Sequence, residues 1–208
     1  MLETRWILPA QVEASDALRQ AVGGHELLAT ILARRGLGDP EAARAFLDPS
    51  AYQPASGYEL PGLDRAVARL RRGIESGDRV TIWGDFDADG QTATALLLDA
   101  LGCLGANVGY YVPSREESHG LNLQGVERLA QEGTKLLITC DTGVTADEEV
   151  GLARQLGVDC IITDHHDLAA TLPVAEAVVN PKMLDAAHPL RELTGVGCAF
   201  KVAEALNE

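Results

Sequence analysis

The chain has 208 residues, a formal net charge of −14 and 46% hydrophobic residues, of which few are aromatic. That length fits one domain with an appendage, and the apolar content suffices for a core built mainly from aliphatic side chains. No run reaches the roughly 18 apolar residues of a membrane span, and Met1-Leu2-Glu3-Thr4-Arg5 lacks the basic and apolar regions of a secretory signal, so a cytoplasmic chain without a membrane partner is expected.

In chain order, residues 1–60 read as a helical amino-terminal region. His25 to Gly36 places Leu27, Leu28, Ile31 and Leu32 at helical spacing and ends at a glycine. Asp39-Pro40-Glu41 has the form of an N-cap followed by proline at the first helical position, opening a helix through Phe46. Pro49, Pro54 and Gly57 mark a loop. Arg34, Arg35 and Arg44 here, with Arg69, Arg71 and Arg72 just beyond, read as solvated helix faces.

Residues 61–208 change rhythm. An amphipathic helix over 64–75, with Leu63, Val67, Leu70 and Ile74 on one side, precedes alternating strands and helices. Strands are expected at 80–83, 107–112, 135–140 and 158–163, with helices at 91–104, 122–132 and 145–156. Gly77, Gly105, Gly133 and Gly157 supply turns. The strands are short, continuously apolar runs, as strands buried on both faces read. The predicted class is therefore α/β: a doubly wound, mainly parallel sheet flanked by helices, preceded by the helical region. Cys103, Cys140, Cys160 and Cys198 are widely spaced and read as small buried hydrophobes in a reducing compartment, Cys140 alone being placed to line a site.

Three strands deliver acids or histidines at their carboxyl ends, where ligands bind in open α/β sheets. Gly84-Asp85-Phe86-Asp87-Ala88-Asp89-Gly90 follows the first, Asp141-Thr142-Gly143 the third and Asp164-His165-His166 the fourth. Carboxylates at spacing two turn several oxygens into one loop, which suits hard divalent cations. A single aspartate after a strand is a routine helix cap, and the loop at Gly90 could instead present helix amides to phosphate. Mixed oxygen and imidazole donors favour Mn²⁺ over Mg²⁺, with Zn²⁺ or Fe²⁺ as further candidates. Two such ions about 3.5–4 Å apart would stabilise a phosphoryl transition state.

The charge is consistent with this. Residues 1–79 carry ten Arg against eleven acids, whereas residues 80–208 carry seven basic residues against twenty acids. That acidity argues against a broad nucleic-acid-binding face, but two divalent cations would cancel about four charges locally.

Taken together, the ordered set resembles the DHH phosphoesterase superfamily, and its context is similar to the RecJ family of single-strand-specific 5′→3′ exonucleases of DNA repair and recombination. Val112-Pro113-Ser114-Arg115, Val179-Asn180-Pro181-Lys182, Leu193-Thr194-Gly195-Val196-Gly197-Cys198-Ala199-Phe200-Lys201 and Trp6-Ile7-Leu8 carry the likeness across nearly the whole chain. The resemblance implies a two-ion Mn²⁺ site, with Mg²⁺ as the alternative ion. Its ligands would be Asp87, Asp89, Asp141 and His165, with Asp141 bridging. His166 would contact the scissile phosphate, Asp164 would orient an imidazole, and Asp85 would support the loop. Arg115, with Ser114, would bind substrate phosphate, for which a guanidinium is a good bidentate partner; from the residues alone an ion pair with Glu116 or Glu117 is an equal reading. Gly195 and Gly197 would open a helix near the substrate, the other reading being a tight turn on the sheet.

The segment Glu116-Glu117-Ser118-His119-Gly120-Leu121 stands where the family carries a Gly-Tyr-Gly-containing stretch, and His119 reads as a polar loop residue, the other reading being a substrate contact. The family also has a fourth motif with another metal-binding aspartate, a DHHA1 domain and an oligonucleotide-binding fold beyond the position of Glu208. The expected partners are thus single-stranded DNA, a carboxyl-terminal half and a single-strand-binding protein. Two other functions remain open: a DHH phosphodiesterase of short oligonucleotides or cyclic dinucleotides, and a non-catalytic DHH scaffold.

Overall fold

The computed structural model describes residues 10–117 and 119–208. The Trp6-Ile7-Leu8 match and Ser118 lie outside the described residues. The chain divides into two units, Met1–Pro54 and Ala55–Glu208.

In the first unit, α1 (Asp16–Ala21), α2 (Glu26–Arg34) and α3 (Pro40–Leu47) pack around Ala14, Leu18, Ala29, Leu32 and Ala43. Asp39 caps α3 as expected, its carboxylate accepting from the amides of Glu41 at 3.0 Å and Ala42 at 2.9 Å. Helix α1 was not anticipated. It has six residues, too few to show a period, and its sign in the sequence is the Ser15 cap, whose Oγ accepts from Leu18 N at 3.1 Å. In α2 the buried face is Ala29 and Leu32, while Leu27 and Ile31 from the expected apolar stripe are exposed.

The second unit contains α4 (Leu63–Ser76), β1 (Arg79–Trp83), α5 (Ala88–Cys103), β2 (Asn107–Tyr111), α6 (Leu123–Gln131), β3 (Leu136–Thr139), α7 (Asp147–Gln155), β4 (Asp159–Thr163), β5 (Ala177–Val179) and α8 (Gly195–Leu206). The strands form one sheet in the order β2-β1-β3-β4-β5, and every pairing is parallel. Strand β5 was not foreseen, because three residues between loops carry no pattern.

Strand alternation decides which helices cover which face. Val80, Ile82, Leu136, Ile138 and Ile161 meet Leu70 of α4, Leu97 and Leu101 of α5 and Val202 of α8 on one side. Trp83, Leu137, Cys160 and Ile162 meet Val126 and Leu129 of α6 and Val150 and Ala153 of α7 on the other. Each fully buried Leu or Ile contributes about 2 kcal/mol relative to exposure. Arg69 of α4 is not on a solvated face as expected: it is buried and ties the helix to the amino-terminal end of the sheet, with Nε 2.6 Å from Asp159 and Nη2 2.9 Å from Asp78. Cys140, Cys160 and Cys198 are buried as expected, while Cys103 is exposed at the end of α5.

The chain leaves β1 for β2 at the edge, then returns across β1 to β3, so the winding reverses between β1 and β3. A crevice opens at the carboxyl ends of strands where such a reversal occurs. Asp85–Asp89 follow β1, Asp141 follows β3 and Asp164–His166 follow β4. The sheet order therefore brings the three motifs together.

Candidate metal centre

Asp141 sits at the middle of the crevice. The backbone of β3 continues past Thr139, with Cys140 N–H donating to Trp83 O at 2.8 Å and Asp141 N–H to Thr163 O at 3.0 Å. The chain then turns sharply, and Asp141 adopts a φ of 63°, the one positive value at a non-glycine residue among those described. Such a conformation costs of order 1–3 kcal/mol and persists only where the surroundings impose it. Here Thr139 Oγ1 donates to Thr142 O at 2.7 Å and Thr163 Oγ1 donates to Thr139 O at 2.6 Å, clamping the turn between two strands.

The Asp141 carboxyl is almost fully buried, and its Oδ1 has no hydrogen bond. His165 Nε2 lies only 3.0 Å from that oxygen, yet without the alignment of a hydrogen bond. Burial, then the charges of Asp89 and Asp87, push this carboxyl up to about 7. Asp85 Oδ1 is a second buried oxygen without a hydrogen bond. Unpaired buried carboxylate oxygens are costly unless a cation joins them.

Two groups of donor atoms meet at Asp141, each with its atoms within 4.8 Å of one another. One is Asp85, Asp87 and Asp141; the other is Asp141, His165 and His166. Oxygen and imidazole donors of this mixture suit Mn²⁺ or a similar divalent ion, and the orphaned oxygens of Asp85 and Asp141 are the donors a cation would complete. The residues present fit a metal. A cleft of about 390 Å³ opens over Asp85, Asp87, Asp141, Asp164 and His166.

Asp164 is built differently. Its Oδ1 accepts from His165 N at 2.7 Å, His166 N at 3.1 Å and His166 Nδ1 at 2.7 Å, while Oδ2 accepts from Val144 N at 2.9 Å. Asn180 Nδ2 adds a 3.0 Å bond to His166 O. Burial lowers the proton affinity of His166, but the hydrogen bond and charge of Asp164 outweigh it and hold the imidazole above its ordinary value.

Asp87 and Asp89 both begin α5. The helix starts at Ala88, three residues before the expected position, because Asp87 is its N-cap and accepts from Gly90 N at 3.0 Å. That contact corrects the reading in which Gly90 opens a phosphate-binding helix end: its amide already has a carboxylate. Asp89 stands beside the two donor groups rather than within either. It accepts from Gly195 N at 2.8 Å and Val196 N at 2.7 Å, docking the first turn of α8, and lies 3.7 Å from His165 Nε2. A carboxylate bonded to two amides still has lone pairs for a cation.

Gly195 is where α8 touches the centre. A Cβ there would stand 2.6 Å from Asp141 Oδ1 and Cβ, so only glycine permits the approach. The amide of Gly197 is 3.3 Å from the Thr194 cap, and that of Ser114 donates to Glu117 at 2.9 Å. Arg115 pairs with neither expected acid in that way; its guanidinium lies over the Phe86 ring, 4.8 Å from the centroid. Glu117 is instead held by the Tyr111 hydroxyl and Ser114 N, which lower its carboxyl to about 2.

Two contacts have no sign in the sequence. The His119 ring packs on Phe86 at 4.3 Å, and its Nδ1 is 3.8 Å from Asp85. The Val144 amide carries no side-chain sign of its bond to Asp164. Cys140, conversely, is wholly buried in the core rather than lining the cleft, and burial pushes its thiol up to about 12. No helix of the described residues is long and apolar enough to cross a membrane.

Comparison with known proteins agrees with this geometry. The DHH family, N-terminal domain, matches residues 79–208. The single-stranded-DNA-specific exonuclease RecJ of Bacillus subtilis is 41% identical over 184 residues, covering 86% of this chain and 23% of that protein. A crystal structure of exonuclease RecJ bound to manganese superposes with a TM-score of 0.68 at 36% identity, over 74% of this chain and 39% of the other. RecJ of Thermus thermophilus in complex with Mg²⁺ gives a TM-score of 0.59 at 29% identity, over 92% of this chain and 22% of the other. The chain thus spans about a quarter of the length of the curated relative it matches. With a parallel sheet, a switch-point crevice and three motifs in the right order, the chain belongs to the DHH family.

Proposed function

We propose that the chain is the metal-binding part of a RecJ-type exonuclease that hydrolyses single-stranded DNA from its 5′ end, using Mn²⁺ or Mg²⁺. The observation that carries this reading is the sharing of Asp141 between two donor groups, one of carboxylates and one containing both histidines. Asp85, Asp87 and Asp141 would hold one cation, and Asp141 with His165 the other, Asp89 standing close enough to join. Such ions supply Lewis acidity at a phosphodiester and a water acidic enough to act near neutral pH.

The chain's own residues then divide the remaining work. Asp164 fixes the His166 ring through Nδ1, leaving Nε2 for a phosphate oxygen. Arg115, held over the ring of Phe86, would offer its guanidinium to a flanking phosphate. Gly195 serves substrate indirectly, by letting the first turn of α8 close on Asp141, and Gly197 by letting that turn pack on Leu193, since the amides of both already have acceptors. The names of the relatives support single-stranded DNA as the substrate class. A carboxyl-terminal half and a single-strand-binding protein are the further partners this reading entails.

The test is to incubate the chain with Mn²⁺ and 5′-labelled single-stranded DNA, beside a dinucleotide. Mononucleotide release from the long strand, abolished by Asp141→Ala, is the expected result. Cleavage of the dinucleotide alone would replace the exonuclease with a short-oligonucleotide phosphodiesterase. No turnover of either, even with a carboxyl-terminal half supplied, would leave a scaffold.

A further inference from the structure

The loop between β2 and α6 sorts its charges. Arg115, Glu116 and Glu117 are consecutive, yet the arginine and the acids face different neighbours. The Arg115 guanidinium lies over the ring of Phe86, the residue between Asp85 and Asp87, and His119 packs on the same ring. Glu116 and Glu117 instead line a separate cavity of about 810 Å³, shared with Arg128 of α6. Glu117 is fastened there. Its carboxylate oxygens accept from the Tyr111 hydroxyl and, at 2.9 Å, from the Ser114 amide. Its own amide donates to Ser114 O at 3.0 Å, closing the turn Arg115–Glu117.

Tyr111, at the end of β2, is itself held on two sides. Its ring meets Trp83 edge-on at 4.7 Å and lies under the Arg128 guanidinium, 4.5 Å from its centroid. Trp83 is fully buried, and its Nε1 donates to Gly120 O at 3.2 Å, so the far end of the loop is tied to the same cluster. Anchors and working residues thus alternate along the loop. Glu117 and Gly120 are bound to the sheet, while Arg115 covers Phe86 and His119 lines the metal cleft.

We infer that Glu117 is a positioning residue acting through Arg115: its bond to Tyr111 fixes the loop so that the guanidinium stands over Phe86, apart from the acids beside it. The assignment rests on the exonuclease reading, in which Arg115 takes a backbone phosphate. A carboxylate two residues from a guanidinium is a competitor that a phosphate would have to displace, and the Tyr111 hydroxyl keeps it occupied elsewhere. An unanchored loop would also lose binding energy to ordering the arginine. The bonds from Tyr111 and Ser114 lower the Glu117 carboxyl to about 2, so the acceptor is charged at neutral pH. Hydrogen bonds to an ionised acceptor are stronger than neutral ones.

The test measures binding of the Mn²⁺-loaded chain to a 5′-phosphorylated oligothymidylate with hydrolysis-resistant phosphorothioate linkages, by fluorescence anisotropy across a salt series. Arg115→Ala should weaken binding about tenfold or more and reduce the slope of log affinity against log salt by roughly 0.7, as loss of one phosphate contact does on a single strand. Glu117→Ala and Tyr111→Phe should each weaken it by roughly two- to tenfold, the cost of ordering one long side chain. Neither should add to the loss in the Arg115→Ala background. The sign for Glu117→Ala discriminates, because removing an acid from a chain of charge −14 would by itself tighten binding to a polyanion. Tighter or unchanged binding by Glu117→Ala, or a loss that persists without Arg115, overturns the positioning role and leaves the exonuclease reading intact. No loss in Arg115→Ala overturns the positioning role together with that of Arg115. No binding by the unaltered chain overturns the exonuclease reading as well.

Discussion

Asp141 and Asp164 each stand at the carboxyl end of a parallel strand, each is buried, and the two strands are neighbours. Their environments are opposite. Asp164 is saturated, its oxygens accepting from three amides and an imidazole. Asp141 has a buried oxygen with no hydrogen bond, a left-handed backbone and a carboxyl pushed up to about 7. One aspartate is satisfied by the protein alone, and the other keeps a buried oxygen unpaired. Burial by itself therefore does not distinguish a structural acid from a functional one; the hydrogen-bond inventory does.

Asp141→Asn breaks the contrast most severely. With the shared donor gone, hydrolysis should fall by roughly a thousandfold or more, equivalent to about 4 kcal/mol of transition-state stabilisation. The metal-free protein should lose no stability in urea denaturation, because the amide removes an unpaired buried charge. A large loss of stability would show that Asp141 is structural.

Asp164→Ala should do the reverse. It strands three amides and a ring nitrogen, and the expected cost is about 3 kcal/mol of unfolding free energy without metal. Unchanged stability would remove the distinction between the two acids.

His165→Ala tests the imidazole side. Mn²⁺ binding by calorimetry should weaken by roughly ten- to a hundredfold, with little change in thermal stability of the apo protein. Unaltered Mn²⁺ affinity would exclude His165 from the ligand set.

The smallest effect is on pH dependence. The Asp141 carboxyl is raised in the folded state, so between about 4 and 7 the folded chain binds a proton that the unfolded chain releases, and stability declines as pH rises. His166, also raised, contributes stability that is full below its ordinary value and is lost as pH passes its folded one. Metal-free denaturation midpoints should therefore drop from pH 5 to pH 8, and saturating Mn²⁺ should reduce the drop. Asp141→Asn without metal should also flatten it; an unchanged slope would contradict the raised carboxyl.

Much of the fold was legible because β1, β3 and β4 are apolar runs whose loops open with glycine, aspartate or both. The Asp39 cap placed α3 closely, its carboxylate accepting the amide bonds its position implies; the helix expected over 122–132 is α6, and its Asn122 cap is seen only in the structure. What was not legible had no local sign. Strand β5 is defined by pairing with β4, and its Val178 and Val179 look like any loop hydrophobes until they lie beside Ile162 and Thr163. The partner of Asp89 lies 106 residues away in α8, a contact that only packing creates.

The motifs themselves, Asp85-Phe86-Asp87-Ala88-Asp89, Asp141-Thr142-Gly143 and Asp164-His165-His166, determined that acids and imidazoles would collect at strand ends, because apolar strands in parallel sheets leave their polar termini at the same edge. Tertiary structure alone decided which acid stays unpaired. That outcome depends on whether backbone amides from Val144, Gly195 and Val196 reach a carboxylate, and amide directions follow from the turn and the helix docking rather than from side-chain identity.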